Sequence, residues 1–207
     1  KHLDYFSNLH VLYFYSIIPS CKLYNRFAKL QQLLVYFCLM ENGKYFCYNS
    51  KLLASGKLII SADNRGFRFG DGFFETMKMI DGNIPLQTHH FERFFSSLQI
   101  LKFDIPDYFT PAYLSEQIKK IASKNKHTQS ARIRFTIFRG DGSLYEYENN
   151  FLNYIIQTWN LNPQTSVWNK NGLRVAIYTK ARKSCDDFSH IKSNNYLPYV
   201  MAAMWAK

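Results

Sequence analysis

The chain has 207 residues, of which 47% are hydrophobic and 20% are charged, so its composition favours a globular protein with a sizeable core. Its net charge is +11, but the basic residues are scattered, and the groups at 119–120, 124–126 and 180–183 match no zinc finger, RNA-binding aromatic motif or basic zipper. The four cysteines form no CxxC pair and the six histidines no HExxH spacing. We therefore expect a cytoplasmic protein without nucleic acid, membrane or metal, whose charge suits a solvated surface or small anionic ligands.

The first 39 residues differ in composition from the rest of the chain, since they contain no Gly or Glu and are rich in Tyr, Phe and Leu. Their apolar run from Val11 to Ile18 is far shorter than the roughly 20 residues of a membrane-spanning helix. At Met40 a polar turn begins. We interpret residues 1–39 as a non-native or upstream-translated segment. The alternative is an additional helix, because four apolar residues recur at helical spacing: Leu23, Phe27, Leu30 and Leu34.

Short strands are the first elements predicted after this segment. Residues 45–49 and 51–54 read as two strands around a tight turn. Residues 76–80 and 83–86 flank an Asp-Gly pair, which predicts a hairpin because Gly accepts the positive φ of such a turn.

Two helices are predicted next. The first begins near Thr88 as N-cap, and its apolar face is formed by Phe91, Phe94, Phe95, Leu98 and Leu101. The second covers residues 110–124, with Pro111 suited to its first turn.

The remaining elements divide the chain into two domains. Strands are predicted at 132–139 and 151–159, followed by a polar connector at 160–165. A further strand at 173–179 and a helix at 196–206 come after the connector. We therefore expect a first, α+β domain over residues 40–165 and the start of a second over 171–207.

One segment near the end of the chain has the character of a site. Lys192 lies within His-Ile-Lys-Ser-Asn-Asn-Tyr, among small and amide residues at the start of a predicted helix. A lysine that is partly buried or close to another cation condenses with aldehydes, and helix N-termini bind phosphorylated ligands. A solvated lysine is the ordinary interpretation of such a pattern, so the segment alone does not establish catalysis.

Four motifs, in order, carry a resemblance to a known family. Residues 64–76 read Asn-Arg-Gly-Phe-Arg-Phe-Gly-Asp-Gly-Phe-Phe-Glu-Thr, and residues 89–93 read His-His-Phe-Glu-Arg. Residues 132–140 follow the pattern R-x-R-x-x-x-x-R-G, and residues 192–196 read Lys-Ser-Asn-Asn-Tyr. These motifs resemble the N-terminal signature, helix start, central strand and cofactor-lysine segment of the class-IV aminotransferases, the pyridoxal-phosphate enzymes of fold type IV.

The resemblance implies a fold, a cofactor and the residues that bind it. The fold would be α+β, with a complete small N-terminal domain and the beginning of the larger cofactor-binding domain. Lys192 would hold pyridoxal 5'-phosphate covalently and shuttle a proton, and Arg93 would bind the phosphate. Tyr196 would contact the cofactor's phenolic oxygen, at a spacing from the lysine one residue shorter than in branched-chain enzymes. For Arg93 the alternative is a surface charge paired with Glu92 or another neighbour.

Two further residues bear on the reaction. Arg134 matches an arginine that contributes to substrate carboxylate recognition in some relatives, with strand packing as the alternative. Thr76 matches a threonine whose hydroxyl aids proton transfer in 4-amino-4-deoxychorismate lyases, which release 4-aminobenzoate and pyruvate on the folate route. The resemblance therefore favours the lyase. The alternative is a branched-chain or D-amino acid aminotransferase, because some transaminases share the Phe-Glu-Thr triplet. A non-catalytic basic binding module is a more remote alternative.

The chain also departs from the family, whose members continue well past the position of Lys207. The missing stretch would carry the glutamate for the cofactor's pyridine nitrogen and part of the phosphate-binding cup. We therefore expect a C-terminally truncated chain that is itself inactive, with exposed apolar surface around the strand at 173–179. The resemblance further implies a small anionic, amino-acid-like substrate and a homodimer.

Overall fold

The structure is a computed structural model. It describes the following residues: 43–145, 149–161, 167, 170–172 and 175–207. The predicted change at Met40 and the interpretation of residues 1–39 lie outside these residues, as does most of the predicted connector at 160–165.

The described residues form five strands and four helices. In chain order they are β1 (Tyr45–Tyr48), β2 (Lys51–Ala54), α1 (Arg65–Phe69), β3 (Gly72–Ile80), α2 (Gln87–Ile100), α3 (Pro111–Lys124), β4 (Ser130–Arg139), β5 (Leu152–Asn160) and α4 (Leu197–Ala206). The predicted α+β class is confirmed.

The described strands belong to one antiparallel sheet with the order β2-β1-β5-β4-β3. β4 lies between β5 and β3 and pairs with both along its length, so the R-x-R-x-x-x-x-R-G motif forms an interior strand of the sheet. β3 lies at the edge, which leaves its outer side available to another segment.

The apolar face predicted for the first helix is confirmed. Phe91, Phe94 and Leu98 are buried, and Phe95 and Leu101 are partly buried against the same cluster. Burial of each large apolar side chain contributes roughly 1.5–3 kcal/mol, so this face anchors α2 to the sheet.

The second predicted helix is also confirmed, together with its start. The Thr110 side chain accepts a hydrogen bond from the Tyr113 N–H, and Pro111 occupies the first turn, where a missing N–H has no cost. Ile118 and Ile121 are buried in the cluster that contains the α2 face. The two helices therefore share one core with the sheet.

The predicted strand at 83–86 is wrong. After the turn, only Asn83 bridges back to β3. Pro85 offers no N–H to a strand ladder, and Leu86 has a left-handed φ of 56° at the helix start. The predicted N-cap at Thr88 is wrong as well, because Leu86 occupies the cap position, without a side-chain hydrogen bond.

The predicted strand at 173–179 is also wrong for the residues that the structure describes. Residues 175–178 are in no strand, and Val175 and Ile177 are 89% and 84% exposed. An extended segment becomes a strand only when a neighbour satisfies its backbone groups, and no described strand runs beside this one. The expected exposure of apolar surface around this segment is confirmed.

None of the helices within the described ranges has both the length and the apolar character needed to cross a membrane.

Candidate functional site

Lys192 is fixed beside the sheet by backbone pairing with the edge strand. The Phe74 N–H donates to the Lys192 carbonyl at 2.9 Å, and the Asn194 N–H donates to the Gly72 carbonyl at 3.0 Å. An antiparallel bridge lies between these two bonds. Residues 190–196, called the lysine segment below, are therefore held in register with β3 by their own backbone.

Gly72 is the position that allows this close approach. A Cβ at Gly72 would overlap the Ile137 carbonyl oxygen of β4 and lie 2.8 Å from Nδ2 of Asn194. The Asn194 side chain also reaches the Ile137 carbonyl, at 3.5 Å. The second Gly of the Gly-Asp-Gly motif is thus required by packing between β3, β4 and the lysine segment.

The Phe74 ring is the point where three candidate residues converge. The Arg134 Cζ lies 3.8 Å from its centroid, and the Lys192 Nζ lies 5.5 Å away. The Tyr196 ring packs edge-on against it, with 5.3 Å between centroids. A cation over a buried aromatic face is worth about 1–2 kcal/mol, so Phe74 helps to fix both cationic side chains.

Arg134 keeps its charge in this setting. Burial and the neighbouring charge of Arg132 lower the pKa of Arg134, while Tyr196 opposes the shift. An arginine side chain is effectively always charged in proteins, so the guanidinium stays protonated at neutral pH in spite of this downward shift. Across the strand pair Arg134 lies opposite Thr76, and both side chains stand on the sheet face that carries Phe74.

Glu75, on the other face of β3, forms a two-point ion pair with Arg93 of α2. The Arg93 Nε donates to Oε2 at 2.9 Å and its Nη2 donates to Oε1 at 2.7 Å. Of the alternatives for Arg93, pairing with Glu92 is wrong, whereas pairing with another residue is what the structure shows. Glu92 instead contacts His89, with 3.0 Å between Oε2 and Nδ1.

Glu75 is ionised in spite of being only 2% exposed. Burial by itself raises the pKa of Glu75, but the hydrogen bonds and charge of Arg93, the Thr76 N–H and the charge of Lys192 together hold it below its ordinary value. His90 Nδ1 lies 3.2 Å from Oε1 of the same carboxylate. The same pairing raises the pKa of Arg93. The buried negative charge of Glu75 therefore holds the Arg93 guanidinium in place.

Arg93 and the lysine segment line the same cavity, which has a volume of about 630 Å³. Its lining includes Lys192, Tyr196 and Tyr199, and the two tyrosine rings stack at 4.6 Å between centroids. No Asp or Glu contributes to the lining that the structure describes. A primary amine, a guanidinium and flat aromatic walls in one cavity suit a planar, anionic ligand that carries an aldehyde.

Of the five predicted site residues, Lys192, Arg93 and Tyr196 line this cavity. Arg134 and Thr76 do not belong to its lining, and Arg134 is linked to the lysine segment through the Phe74 ring. Because Thr76 follows Phe74 by two residues, the two side chains share a face of the sheet.

Two of the motifs bind each other and have a structural role. Asp71 accepts a hydrogen bond from the Arg65 Nε at 3.0 Å and from the Arg139 Nη1 at 2.6 Å. The Arg65 N–H donates to the Gly140 carbonyl at 2.9 Å, and the Asn64 Nδ2 donates to the Arg139 carbonyl at 3.3 Å. These contacts hold the start of β3 against the end of β4.

Sequence reasoning gave no role to Glu75, His90 or Phe74, although Glu75 and Phe74 are part of a quoted motif. The available signal was an acidic residue close to Phe73, Phe74 and Met77, because a carboxylate buried among apolar residues requires a cationic partner.

The family model described as amino-transferase class IV matches residues 72–207 of this chain. Among curated proteins, the D-alanine aminotransferase of Staphylococcus haemolyticus is 28% identical over 92 residues, which are 44% of this chain and 32% of that protein. The chain thus spans about a third of the length of this curated relative.

Solved structures share the fold. The branched-chain aminotransferase of Thermoproteus uzoniensis with norvaline superimposes with a TM-score of 0.62 at 18% identity, covering 77% of this chain and 55% of that one. The T.th. branched-chain amino acid aminotransferase complexed with N-(5'-phosphopyridoxyl)-L-glutamate gives a TM-score of 0.52 at 23% identity, covering 59% of this chain and 42% of that one.

Proposed function

The chain belongs to the amino-transferase class IV family, whose model matches residues 72–207, and from this premise we propose that it binds pyridoxal 5'-phosphate through Lys192. The observation that carries the proposal is the pairing of the lysine segment with β3, which brings the Lys192 amine into a cavity shared with Arg93. That a solved relative is complexed with a phosphopyridoxyl compound supports the choice of cofactor.

The described residues fit this cofactor by their chemistry. When bound, pyridoxal phosphate supplies an electron sink for cleavage of a bond next to the substrate nitrogen. Arg93 would hold the phosphate, because Glu75 fixes the guanidinium through Nε and Nη2. Tyr196, edge-on to Phe74, would contact the cofactor ring. Lys192 would hold the cofactor and then carry a proton at Nζ.

We propose elimination of pyruvate from 4-amino-4-deoxychorismate as the reaction. Thr76 supports this choice, because its hydroxyl stands on the sheet face of Phe74, directly across from Arg134. Arg134 would orient a substrate carboxylate, since a guanidinium presents a planar pair of donors. The hydroxyl of Thr76 would assist the proton transfer of the elimination step.

Amino-group transfer on D-amino or branched-chain amino acids is the second candidate. The similarity to a D-alanine aminotransferase favours it. Lys192 and Arg93 would have the same roles in both reactions, so the two differ in the use of Thr76.

The substitution Thr76→Val tests the choice between them, with Thr76→Ser as the matched control that keeps a hydroxyl. A protein extended to the length of its family relatives, because the 207-residue chain itself is expected to be inactive, is incubated with pyridoxal phosphate and 4-amino-4-deoxychorismate and assayed for 4-aminobenzoate. We expect Thr76→Val to lose about 10²-fold in rate, the usual contribution of a proton-transfer group, and Thr76→Ser to keep most of it. Efficient transamination of D-alanine or leucine with 2-oxoglutarate, unaffected by Thr76→Val, would sink the lyase assignment.

We also propose a cytoplasmic homodimer, as the family resemblance implies. Light scattering coupled to size-exclusion chromatography measures the mass in solution, and a monomer at micromolar concentration would contradict the assembly.

A further inference from the structure

The basic group at 180–183 contributes two cations to the cavity of Lys192. Arg182 and Lys183 both line it, and both are exposed. Neither side chain has a hydrogen bond or ion pair with another described residue, although the Lys183 backbone carbonyl accepts a hydrogen bond from the Cys185 Sγ at 3.9 Å. Asp186 and Asp187 follow closely in sequence, but neither contributes to the lining, and Asp186 instead accepts a hydrogen bond from the Phe188 N–H at 3.0 Å.

The other two cations of the cavity, Arg93 and Lys192, already have assigned partners. Arg93 is held in place by the buried Glu75 carboxylate and is the residue proposed above to bind the cofactor phosphate. Lys192 lies over Phe74, and covalent attachment of a cofactor would use its amine. Arg182 and Lys183 are therefore the cations of this cavity that remain for a further anion.

An aromatic contact upstream of the pair links its segment to helix α4. The Tyr178 ring packs against Trp205 of α4, with 5.6 Å between centroids. Helix α4 begins directly after Tyr196, which packs on Phe74. The segment that carries Arg182 and Lys183 is thus attached to the element that follows the lysine segment.

We infer that Arg182 and Lys183 form a subsite for a second carboxylate of the substrate, in addition to the carboxylate assigned to Arg134. Exposed cations at a cavity attract an anionic substrate from solvent and raise its local concentration. The phosphate of a covalently held cofactor instead requires a fixed partner such as Arg93. The inference rests on the proposed function and deepens it. It favours the lyase, because 4-amino-4-deoxychorismate has two carboxylates and D-alanine has one.

The test compares benzoate with isophthalate, two planar ligands that differ by one carboxylate. Their dissociation constants are measured by titration calorimetry on the 207-residue chain and on the double variant Arg182→Gln/Lys183→Gln. We expect isophthalate to bind the original chain more tightly than benzoate, and to lose about tenfold in affinity in the variant, the factor that corresponds to roughly 1.4 kcal/mol. Benzoate affinity should change less than about twofold.

The control is Lys170→Gln/Lys180→Gln, which removes the same charge from neighbouring residues that do not line the cavity. It should leave both dissociation constants unchanged. If the control and test variants lost the same affinity for isophthalate, the effect would be one of net charge and the inference would be wrong. Equal affinity of the original chain for benzoate and isophthalate would also contradict it.

A second comparison tests whether Arg182 and Lys183 bind the cofactor phosphate or a substrate carboxylate. Pyridoxal and pyridoxal 5'-phosphate differ by the phosphate alone. If Arg182→Gln/Lys183→Gln weakens only the phosphorylated compound and spares isophthalate, the pair binds the cofactor phosphate and the carboxylate assignment is wrong. Neither benzoate nor isophthalate has an aldehyde, so their binding does not require a covalent bond to Lys192. Failure of the cofactor proposal is therefore distinguishable from failure of this subsite.

Discussion

Glu75 and Arg93 join the edge strand to helix α2 through two hydrogen bonds, 2.9 Å from Nε to Oε2 and 2.7 Å from Nη2 to Oε1. The carboxylate is buried, whereas the Arg93 side chain is 49% exposed. The pair thus has one end in the protein interior and the other in the cavity of Lys192. It couples the stability of the fold to the orientation of the proposed phosphate-binding residue.

Glu75→Gln should destabilise the protein by about 2 kcal/mol. This is less than the 3–5 kcal/mol of a fully buried pair, because Arg93 is partly solvated. The measurement is equilibrium unfolding in urea. Glu92→Gln on the exposed face of α2 is the control and should change the free energy of unfolding by less than about 0.5 kcal/mol. Equal effects of the two substitutions would show that the buried pair has no special role.

The contribution of Glu75 should disappear at acidic pH. Burial raises the pKa of Glu75, but Arg93 lowers it by more, so the pKa in the folded state is below the ordinary value. Its stabilising effect is therefore present above the unfolded-state pKa of about 4.3 and is lost as the pH falls through the lower folded-state value. We expect the difference in unfolding free energy between the original protein and Glu75→Gln to be constant from pH 6 to 7 and to shrink below about pH 4. A difference in unfolding free energy that grows as the pH falls would contradict this prediction.

Gly72→Ala should displace the lysine segment. The added Cβ would overlap the Ile137 carbonyl and crowd Asn194, and overpacking of this kind costs about 1–3 kcal/mol. Gly140→Ala is the control, since its Cβ would meet only side-chain atoms, at 3.3 and 3.4 Å. Hydrogen exchange of the Phe74 and Asn194 amides reports the pairing directly. Unchanged protection of these amides in Gly72→Ala would refute the role given to the glycine.

Phe74→Leu should weaken both the fold and the binding of pyridoxal phosphate, whereas a matched core substitution should weaken the fold alone. Phe74 and Phe91 are both 4% exposed, so the same substitution at Phe91 controls for loss of core packing. Both variants should lose about 1–2 kcal/mol of stability. Only Phe74→Leu should raise the dissociation constant of pyridoxal phosphate, by roughly tenfold, because Lys192 and Tyr196 both contact this ring. A larger loss of affinity in Phe91→Leu would contradict this assignment.

Elements with local signals could be predicted from the sequence. Helix α3 has its Thr110 cap and Pro111 in consecutive positions, and the alternation over residues 132–139 predicted most of β4, which covers Ser130–Arg139. The strand predicted at 83–86 failed because the competing helix start at Leu86 has no capping side chain to mark it. The strand at 173–179 failed because strand formation depends on a neighbour, which periodicity does not encode.

The site was predictable in its parts but not in its arrangement. Lys192 could be singled out by motif, yet its pairing with β3 joins residues more than a hundred positions apart in the chain. The partner of Arg93 was missed for the same reason. Sequence spacing favoured a neighbour on the helix, whereas the buried carboxylate of Glu75 on β3 offers the stronger, less solvated contact.

The most direct test concerns the lysine itself. The chain is incubated with pyridoxal 5'-phosphate, reduced with borohydride and digested, and the modified lysine is identified by mass spectrometry. We predict a yellow protein and a stoichiometric phosphopyridoxyl label on Lys192, absent from Lys192→Ala and retained in the control Lys180→Gln, whose lysine does not line the cavity. Label scattered over surface lysines, or equal labelling and colour in Lys192→Ala, would contradict the assignment of Lys192 as the cofactor-binding residue.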